Sequence, residues 1–166
     1  ALVEKCRLQK RHHISFVDYE EALERCIPGE KWLSDERIAD LIAGSIRYRD
    51  GRDYDIAAYC VMPNHVHLVI GTGEHDLFKP VGQIGNLSNK PFSKIMQSLK
   101  RYTATQANNI LCRSGKFWQD ESYDHIVRDE AEFEHVVEYV IYNPVKAGLV
   151  KRWRDWKWTY SVFNID

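Results

Sequence analysis

The chain has 166 residues, of which 44% are hydrophobic and 28% are charged, and its formal net charge is −1. This composition is typical of one soluble globular domain, and no apolar run is long enough to cross a membrane. The near-neutral charge excludes a generally basic nucleic-acid-binding protein, so a nucleic-acid partner would need a local basic surface. The four cysteines include no C-x-x-C pair, which argues against a zinc cage and favours a reducing, cytoplasmic location.

The first third of the chain is predicted to be helical. Residues 1–33 form a charged segment with rough helical spacing, and Pro28-Gly29 interrupts it. Ser34 is predicted to cap the next helix, whose apolar positions recur at helical spacing from Ile38 to Ile46. Asp50-Gly51 is predicted to end that helix.

A β-hairpin is predicted next. Tyr54 to Val61 alternates like a strand, Pro63-Asn64 makes a tight connection, and His65 to Ile70 reads as a second, central strand. Residues 71–90 then form a loop rich in Gly, Asn and Pro. Loops of that length inside a compact domain are usually functional or disordered.

The second half alternates helices with strand signals. A helix is predicted from Pro91 to about Cys112, and a strand at Tyr123 to Val127. A further helix begins at Asp129 and should end at Asn143, because a residue before proline is disfavoured in helical geometry. Residues 145–166 are predicted to form an irregular tail rich in Trp and basic residues.

These elements predict one α+β domain spanning residues 1–166. The arrangement favours a ferredoxin-like sandwich, an antiparallel sheet with helices on one face. Such a sheet needs a strand before the first capped helix. Residues 13–17 are a weak candidate, and otherwise that first strand is missing from this chain.

Two histidines lie one residue apart in the second hairpin strand. Alternate side chains of a strand share a face, so His65 and His67 project together and could form half of a site for a divalent metal. The spacing is short and common, and two solvent-facing histidines at a strand end explain it equally well.

The helix after Asp129 could supply what the histidines lack. Tyr139 and Asn143 lie one turn apart on the shoulder of its apolar arc, where a tyrosine would be half sheltered. Two imidazoles and an amide oxygen could hold Mg²⁺ or Mn²⁺ and leave positions for phosphate oxygens. The tyrosine could then attack a phosphodiester and form a covalent phosphotyrosine. A core-edge tyrosine and a helix-capping Asn are the simpler explanation.

Two sequence motifs resemble a known family. Met62-Pro63-Asn64-His65-Val66-His67-Leu68 resembles the histidine–hydrophobe–histidine motif of the HUH single-strand nucleases. The run from Tyr139 to Leu149, YVIYNPVKAGL, resembles the tyrosine-helix motif of single-tyrosine transposases. Within these, the chain is most similar to the REP-associated tyrosine transposases, over roughly Trp32 to Trp158.

The resemblance implies an HUH endonuclease fold that nicks and transfers single-stranded DNA, usually at palindromic hairpins, with a metal ion. By this resemblance His65, His67 and Asn143 bind the metal, and Tyr139 is the catalytic nucleophile. The long loop departs from the family pattern, as does the absence of a clear first strand.

Two surfaces are candidates for DNA binding. One is the helix after Pro91, and the other is the Trp-rich tail, whose indoles could stack on bases or pack on the sheet. The predicted DNA-binding residues are Lys94, Lys100, Arg101, Lys146, Lys151, Arg152 and Arg154.

Other tyrosines and histidines compete for the same roles. Tyr102 is predicted to belong to the core and Tyr142 to face solvent, with a role for Tyr142 as a second nucleophile left open. His75 is an alternative metal ligand.

Three functions therefore remain open. The leading hypothesis is a metal-dependent DNA transposase or endonuclease acting on single-stranded or hairpin DNA. The alternatives are a binding module that grips structured single strands without cutting, and a metal hydrolase that uses an activated water. A monomer is favoured, with a dimer as the alternative.

Overall fold

The computed structural model describes residues 30–72, 91–119, 126–127 and 129–165. These residues do not include the predicted N-terminal helix, the candidate strand at 13–17, nearly all of the long loop or most of the predicted strand at 123–127. The described residues form helices α1 (Glu36–Tyr48), α2 (Phe92–Ile110) and α3 (Glu130–Lys146), and strands β1 (Asp55–Val61), β2 (Val66–Gly71) and β3 (Thr159–Ser161). Short 3-10 turns lie at Trp32–Ser34 and Trp153–Asp155.

The three strands form an antiparallel sheet in the order β2-β1-β3. The predicted hairpin is present, with Val61 opposite Val66 and the Met62 N–H donating to the His65 carbonyl at 2.9 Å. The predicted α+β class with an antiparallel sheet is confirmed. The histidine strand was expected to be central, but β2 lies at the edge of the described sheet. The second edge of β1 instead pairs with β3, which comes from the tail predicted to be irregular.

The sheet separates two hydrophobic cores. Helices α1 and α2 cover one face, and Val66 and Leu68 of β2 lie in the core between them and the sheet. Helix α3 covers the other face, where it packs on Ala58 and Val69. The expectation that all helices lie on one face is therefore wrong, because both faces of these strands are apolar and each requires a cover.

A β-bulge explains how β1 serves both faces. The β1–β2 register shifts between Ile56 and Ala58. Ala57 and Ala58 consequently both belong to the core beneath α3, although neighbouring residues of a regular strand point to opposite faces. After the bulge, Cys60 lies on the α3 face and is paired in register with His67.

Two helix boundaries differ from the prediction. The cap of α1 is Asp35 rather than Ser34, and its carboxylate accepts from the Arg37 N–H at 3.0 Å. Helix α3 is capped by Asp129 as predicted but continues through Pro144 to Lys146, beyond the expected end at Asn143. Proline removes one backbone donor here, while the buried Pro144 ring packs in the protein and the Asn143 carbonyl still accepts from Ala147 at 2.9 Å.

Candidate active site

The two histidines face the core beneath α3. His65 immediately precedes β2 and His67 lies within it, and both side chains are buried. Their rings are perpendicular, and the two Nε2 atoms are 2.8 Å apart. The predicted pairing of the two imidazoles is present, and they converge on one point instead of facing solvent.

The neighbouring Asn64 fixes how His65 presents its nitrogens. The Asn64 Oδ1 atom is 2.8 Å from His65 Nδ1, so Nδ1 carries a proton and donates it to the amide oxygen. The lone pair of His65 therefore lies on Nε2 and points at His67. An outer partner that sets the tautomer in this way is the usual companion of a metal-binding histidine.

Burial keeps His65 uncharged. Removal from water lowers the pKa of His65 to about 2, and the charge of a protonated His67 acts in the same direction. His65 is therefore a neutral imidazole at physiological pH, which is the form that coordinates a metal.

Tyr139 covers the histidine pair from α3. Its ring meets the His67 ring edge-on, with centroids 5.5 Å apart and planes at 86°. The side chain is 4% exposed, so Tyr139 is more buried than the half-sheltered position that the helical wheel predicted. The β2 histidines and the α3 tyrosine, 72 residues away in sequence, thus meet at one place.

The donor set fits a weakly held divalent cation. Two imidazole nitrogens converge, and Asn143 lies one turn after Tyr139 on α3. Among the described residues, no group of three or more His, Cys, Asp or Glu could hold a metal ion. Asn143 remains the predicted third ligand.

Comparison with known proteins bears on this geometry. No protein-family model matches the chain. A Haemophilus influenzae protein assigned to the REP-associated tyrosine transposases is 27% identical over 113 residues, 68% of this chain and 61% of the relative. The REP-associated tyrosine transposase of Escherichia coli K12 is 29% identical over 121 residues, 73% of this chain and 61% of the relative.

This chain is homologous to REP-associated tyrosine transposases. The predicted resemblance is thereby confirmed, although the matched region spans only 61% of the length of each curated relative. A solved structure of a REP-associated tyrosine transposase bound to a REP hairpin superposes with a TM-score of 0.57. It is 23% identical and covers 81% of this chain and 70% of its own. That likeness supports the same fold.

Of the predicted DNA-binding residues, Lys146 shares helix α3 with Tyr139, whereas the others lie on α2 or in the tail. Lys94, Arg101 and Tyr102 line an open groove of about 500 Å³ on α2, the helix that covers the face of the sheet opposite Tyr139. Lys100 donates to the Gln119 carbonyl at 3.3 Å, so its ammonium already has a partner within the protein.

The basic tail residues are also partly engaged. Arg152 pairs with Asp155 at 2.7 Å, and the Arg154 guanidinium lies 4.5 Å from the centre of the Trp153 ring. Lys151 is exposed. Lys146, in contrast, lies next to Tyr139, with its Nζ 4.6 Å from the centre of the tyrosine ring.

The three tail indoles make hydrogen bonds within the protein. The Trp153 N–H donates to the Ile165 carbonyl at 3.3 Å, and the Trp156 N–H donates to the Val61 carbonyl at 3.0 Å. The Trp158 N–H donates to the Asp40 carboxylate at 2.8 Å. These contacts agree with the alternative prediction that the indoles pack on the protein, and stacking on bases stays a prediction.

Two further side-chain predictions are corrected. Tyr102 was expected in the core, but it is 49% exposed. Tyr142 was expected to face solvent, but it is half-buried against the core beneath α3. His75 lies outside the described residues. Sequence reasoning also missed Asn64, although an amide immediately before the histidine motif was a signal available in the sequence.

Proposed function

We propose that this chain nicks and rejoins single-stranded DNA beside a hairpin, with Tyr139 as the nucleophile. The observation that carries the proposal is the edge-on contact of Tyr139 with His67, whose Nε2 faces that of His65. The homologues are named tyrosine transposases, and the solved relative is bound to a REP hairpin, which supports hairpin DNA as the substrate.

The covalent step would exchange one phosphate ester for another. A bond forms between the Tyr139 oxygen and phosphorus while the bond from phosphorus to one sugar oxygen breaks. The phenol releases its proton to solvent and the departing sugar oxygen takes one from solvent. The reverse attack by a sugar hydroxyl restores a phosphodiester, so joining needs no added energy source.

His65, His67 and Asn143 are the residues that would hold Mg²⁺ or Mn²⁺. Such an ion would supply positive charge to the phosphate as negative charge grows on its oxygens. Asn64 holds His65 in the required tautomer, and the two cores hold β2 and α3 in fixed relation.

The direct test is capture of a protein–DNA adduct. The protein is incubated with Mn²⁺ and a pool of labelled oligonucleotides, each with a short hairpin and a randomised single-stranded flank. We expect a denaturation-resistant adduct that is lost in Tyr139→Phe and retained in Tyr102→Phe. Tyr102 is a matched control because it is exposed on α2, over the opposite face of the sheet.

The other outcomes identify the alternatives. Adduct formation that survives Tyr139→Phe and is lost in Tyr102→Phe would contradict the assignment of the nucleophile. Hairpin binding without any adduct would indicate a non-catalytic binding module. Cleavage that persists in Tyr139→Phe without an adduct would indicate hydrolysis by an activated water.

A further inference from the structure

The continuation of α3 past Pro144 places a third polar residue on the tyrosine face. Tyr139, Asn143 and Lys146 are spaced i, i+4 and i+7, so they lie within an arc of about 60° on the helix. Had the helix ended at Asn143, Lys146 would have no fixed relation to Tyr139. The last turn of α3 therefore creates a three-residue row that the sequence pattern alone did not predict.

Lys146 ends above the tyrosine ring. Its Nζ lies 4.6 Å from the ring centre, and the His67 ring meets the same tyrosine ring at 86° with centroids 5.5 Å apart. The ring is buried, whereas Lys146 is exposed. The lysine is consequently the solvent-side cover of Tyr139, and a phosphate approaching the tyrosine from solvent meets its ammonium.

The ammonium is available for that encounter. Within the described part of the chain, it contacts the face of the Tyr139 ring and belongs to no ion pair. An exposed cation over an aromatic ring is held weakly, and an ammonium attracts a phosphate more strongly than a ring face does. A bound phosphodiester would therefore draw the ammonium from the ring to its own oxygens.

We propose that Lys146 contacts a non-bridging oxygen of the phosphate that Tyr139 attacks, and stabilises the charge that grows there during transfer. This inference rests on the proposed function, because it assumes that Tyr139 is the nucleophile. It goes further by assigning the reacting phosphate a cation from the protein itself, in addition to the histidine pair. Positively charged donors of this kind act where negative charge develops.

A simpler role for Lys146 makes a different prediction. A cation in the last turn of a helix stabilises the helix through its dipole. In that case, removing the charge would lower the melting temperature but would not change adduct formation once DNA is saturating. The proposed role changes the rate at saturation and leaves DNA affinity nearly intact.

The experiment compares Lys146→Met, Lys146→Arg and Lys31→Met in single-turnover adduct formation with Mn²⁺ and the same hairpin pool. Met keeps the length of the side chain without its charge, Arg keeps the charge, and Lys31 is exposed before α1 and serves as a charge-matched control. We expect Lys146→Met to slow adduct formation at saturating DNA by about 10- to 100-fold. Dissociation constants for the hairpin pool should change by less than about 3-fold, and Lys146→Arg should recover most of the rate.

Several results would overturn the inference. A saturated rate in Lys146→Met equal to that of the unaltered protein would do so, as would an effect confined to DNA affinity or an equal loss in Lys31→Met. These results leave the tyrosine assignment standing, because the unaltered protein would still form its adduct. A protein that forms no adduct at all overturns both the proposed function and this inference. Melting temperatures of the variants separate a folding defect from a loss of chemistry.

Discussion

Replacing Asn64 by Ala should weaken metal binding without touching either histidine. The change removes the oxygen that accepts from His65 Nδ1 at 2.8 Å, so His65 can place its proton on Nε2, where it blocks coordination. Loss of such an outer partner typically lowers metal affinity by about 10- to 100-fold. Asn64→Asp keeps an acceptor oxygen at this position and should retain the affinity.

The expected size of the effect can be stated as a thermal shift. Mn²⁺ at a hundred times its dissociation constant stabilises a folded protein by about 2.7 kcal/mol, and a tenfold loss of affinity leaves about 1.4 kcal/mol. For a domain of this size, the difference of about 1.3 kcal/mol corresponds to roughly 3 to 5 °C in melting temperature. The measurement is the Mn²⁺-induced shift in melting temperature of each variant, relative to its own metal-free melting temperature.

The comparison includes a control and a clear contradiction. Asn109→Ala removes an exposed amide near the end of α2 and should leave the Mn²⁺-induced shift unchanged. An Asn64→Ala protein with the same Mn²⁺-induced shift as the unaltered protein would refute the argument from the tautomer. A shift absent from the unaltered protein would refute metal binding at the histidine pair.

Two further predictions concern stability. Trp156→Phe should lower the free energy of urea unfolding by about 1 to 2 kcal/mol, because it leaves the Val61 carbonyl without its indole donor. Burial raises the pKa of Cys60 to about 12, against a weaker opposing effect of its hydrogen bond from Thr159. The pKa of Cys60 in the folded protein lies above the ordinary thiol value, which applies to the unfolded chain. The protonated thiol therefore contributes its full stability below that ordinary value, and this stability is lost as pH rises towards 12. The unfolding free energy should therefore fall above about pH 9, and less steeply in Cys60→Ala.

Each stability prediction has a matched comparison. Trp158→Phe removes an indole donor whose acceptor, Asp40, lies at the surface, so it should cost less than Trp156→Phe. Equal losses in the two variants would contradict the importance of burial. Cys112 is exposed, and Cys112→Ala should keep the alkaline slope of the unaltered protein. A slope unchanged in Cys60→Ala would assign the alkaline loss to other groups, such as Tyr59, whose pKa burial also raises.

The parts of the fold that were predictable depend on local periodicity. Alternation gave the hairpin and placed His65 and His67 on one face, and the apolar arc of the last helix gave the side on which Tyr139 lies. The partner of each face was not predictable, because β1 and β2 are apolar on both sides. The pattern does not say which helix packs on which side.

The errors have equally local causes. On α2 the buried row continues from Ile95 and Leu99 to Thr103 and Ala107, at i+4 steps, which turns Tyr102 outwards. Sequence reasoning passed over Thr103 because it is polar. Its hydroxyl is satisfied in the core, donating to the Leu99 carbonyl at 2.8 Å and accepting from the Trp118 indole at 2.9 Å. Burial of a polar residue costs little when both of its hydrogen-bonding functions are met.

Strand β3 was missed because its three residues carry no periodic signal. It is specified by distant pairing, with Tyr160 opposite and stacked on Tyr59 at 5.7 Å between ring centres. Helix α3 was predicted too short because the rule for residues before proline is a statistical preference. Pro144 lies in the last turns of the helix, where burial of its ring offsets one missing hydrogen bond.

The pairing of β3 also has a consequence for solubility. Residues 159–161 occupy the edge of β1 along Ala58 to Cys60, and the Val162 N–H extends this pairing to the Ala57 carbonyl at 2.9 Å. A version of the chain cut before Thr159 would expose that row of backbone donors and acceptors on an almost entirely apolar strand. Unprotected edges of this kind recruit strands from other molecules. By pairing with this edge, the tail therefore protects β1 from self-association, independently of any contact that the tail makes with DNA.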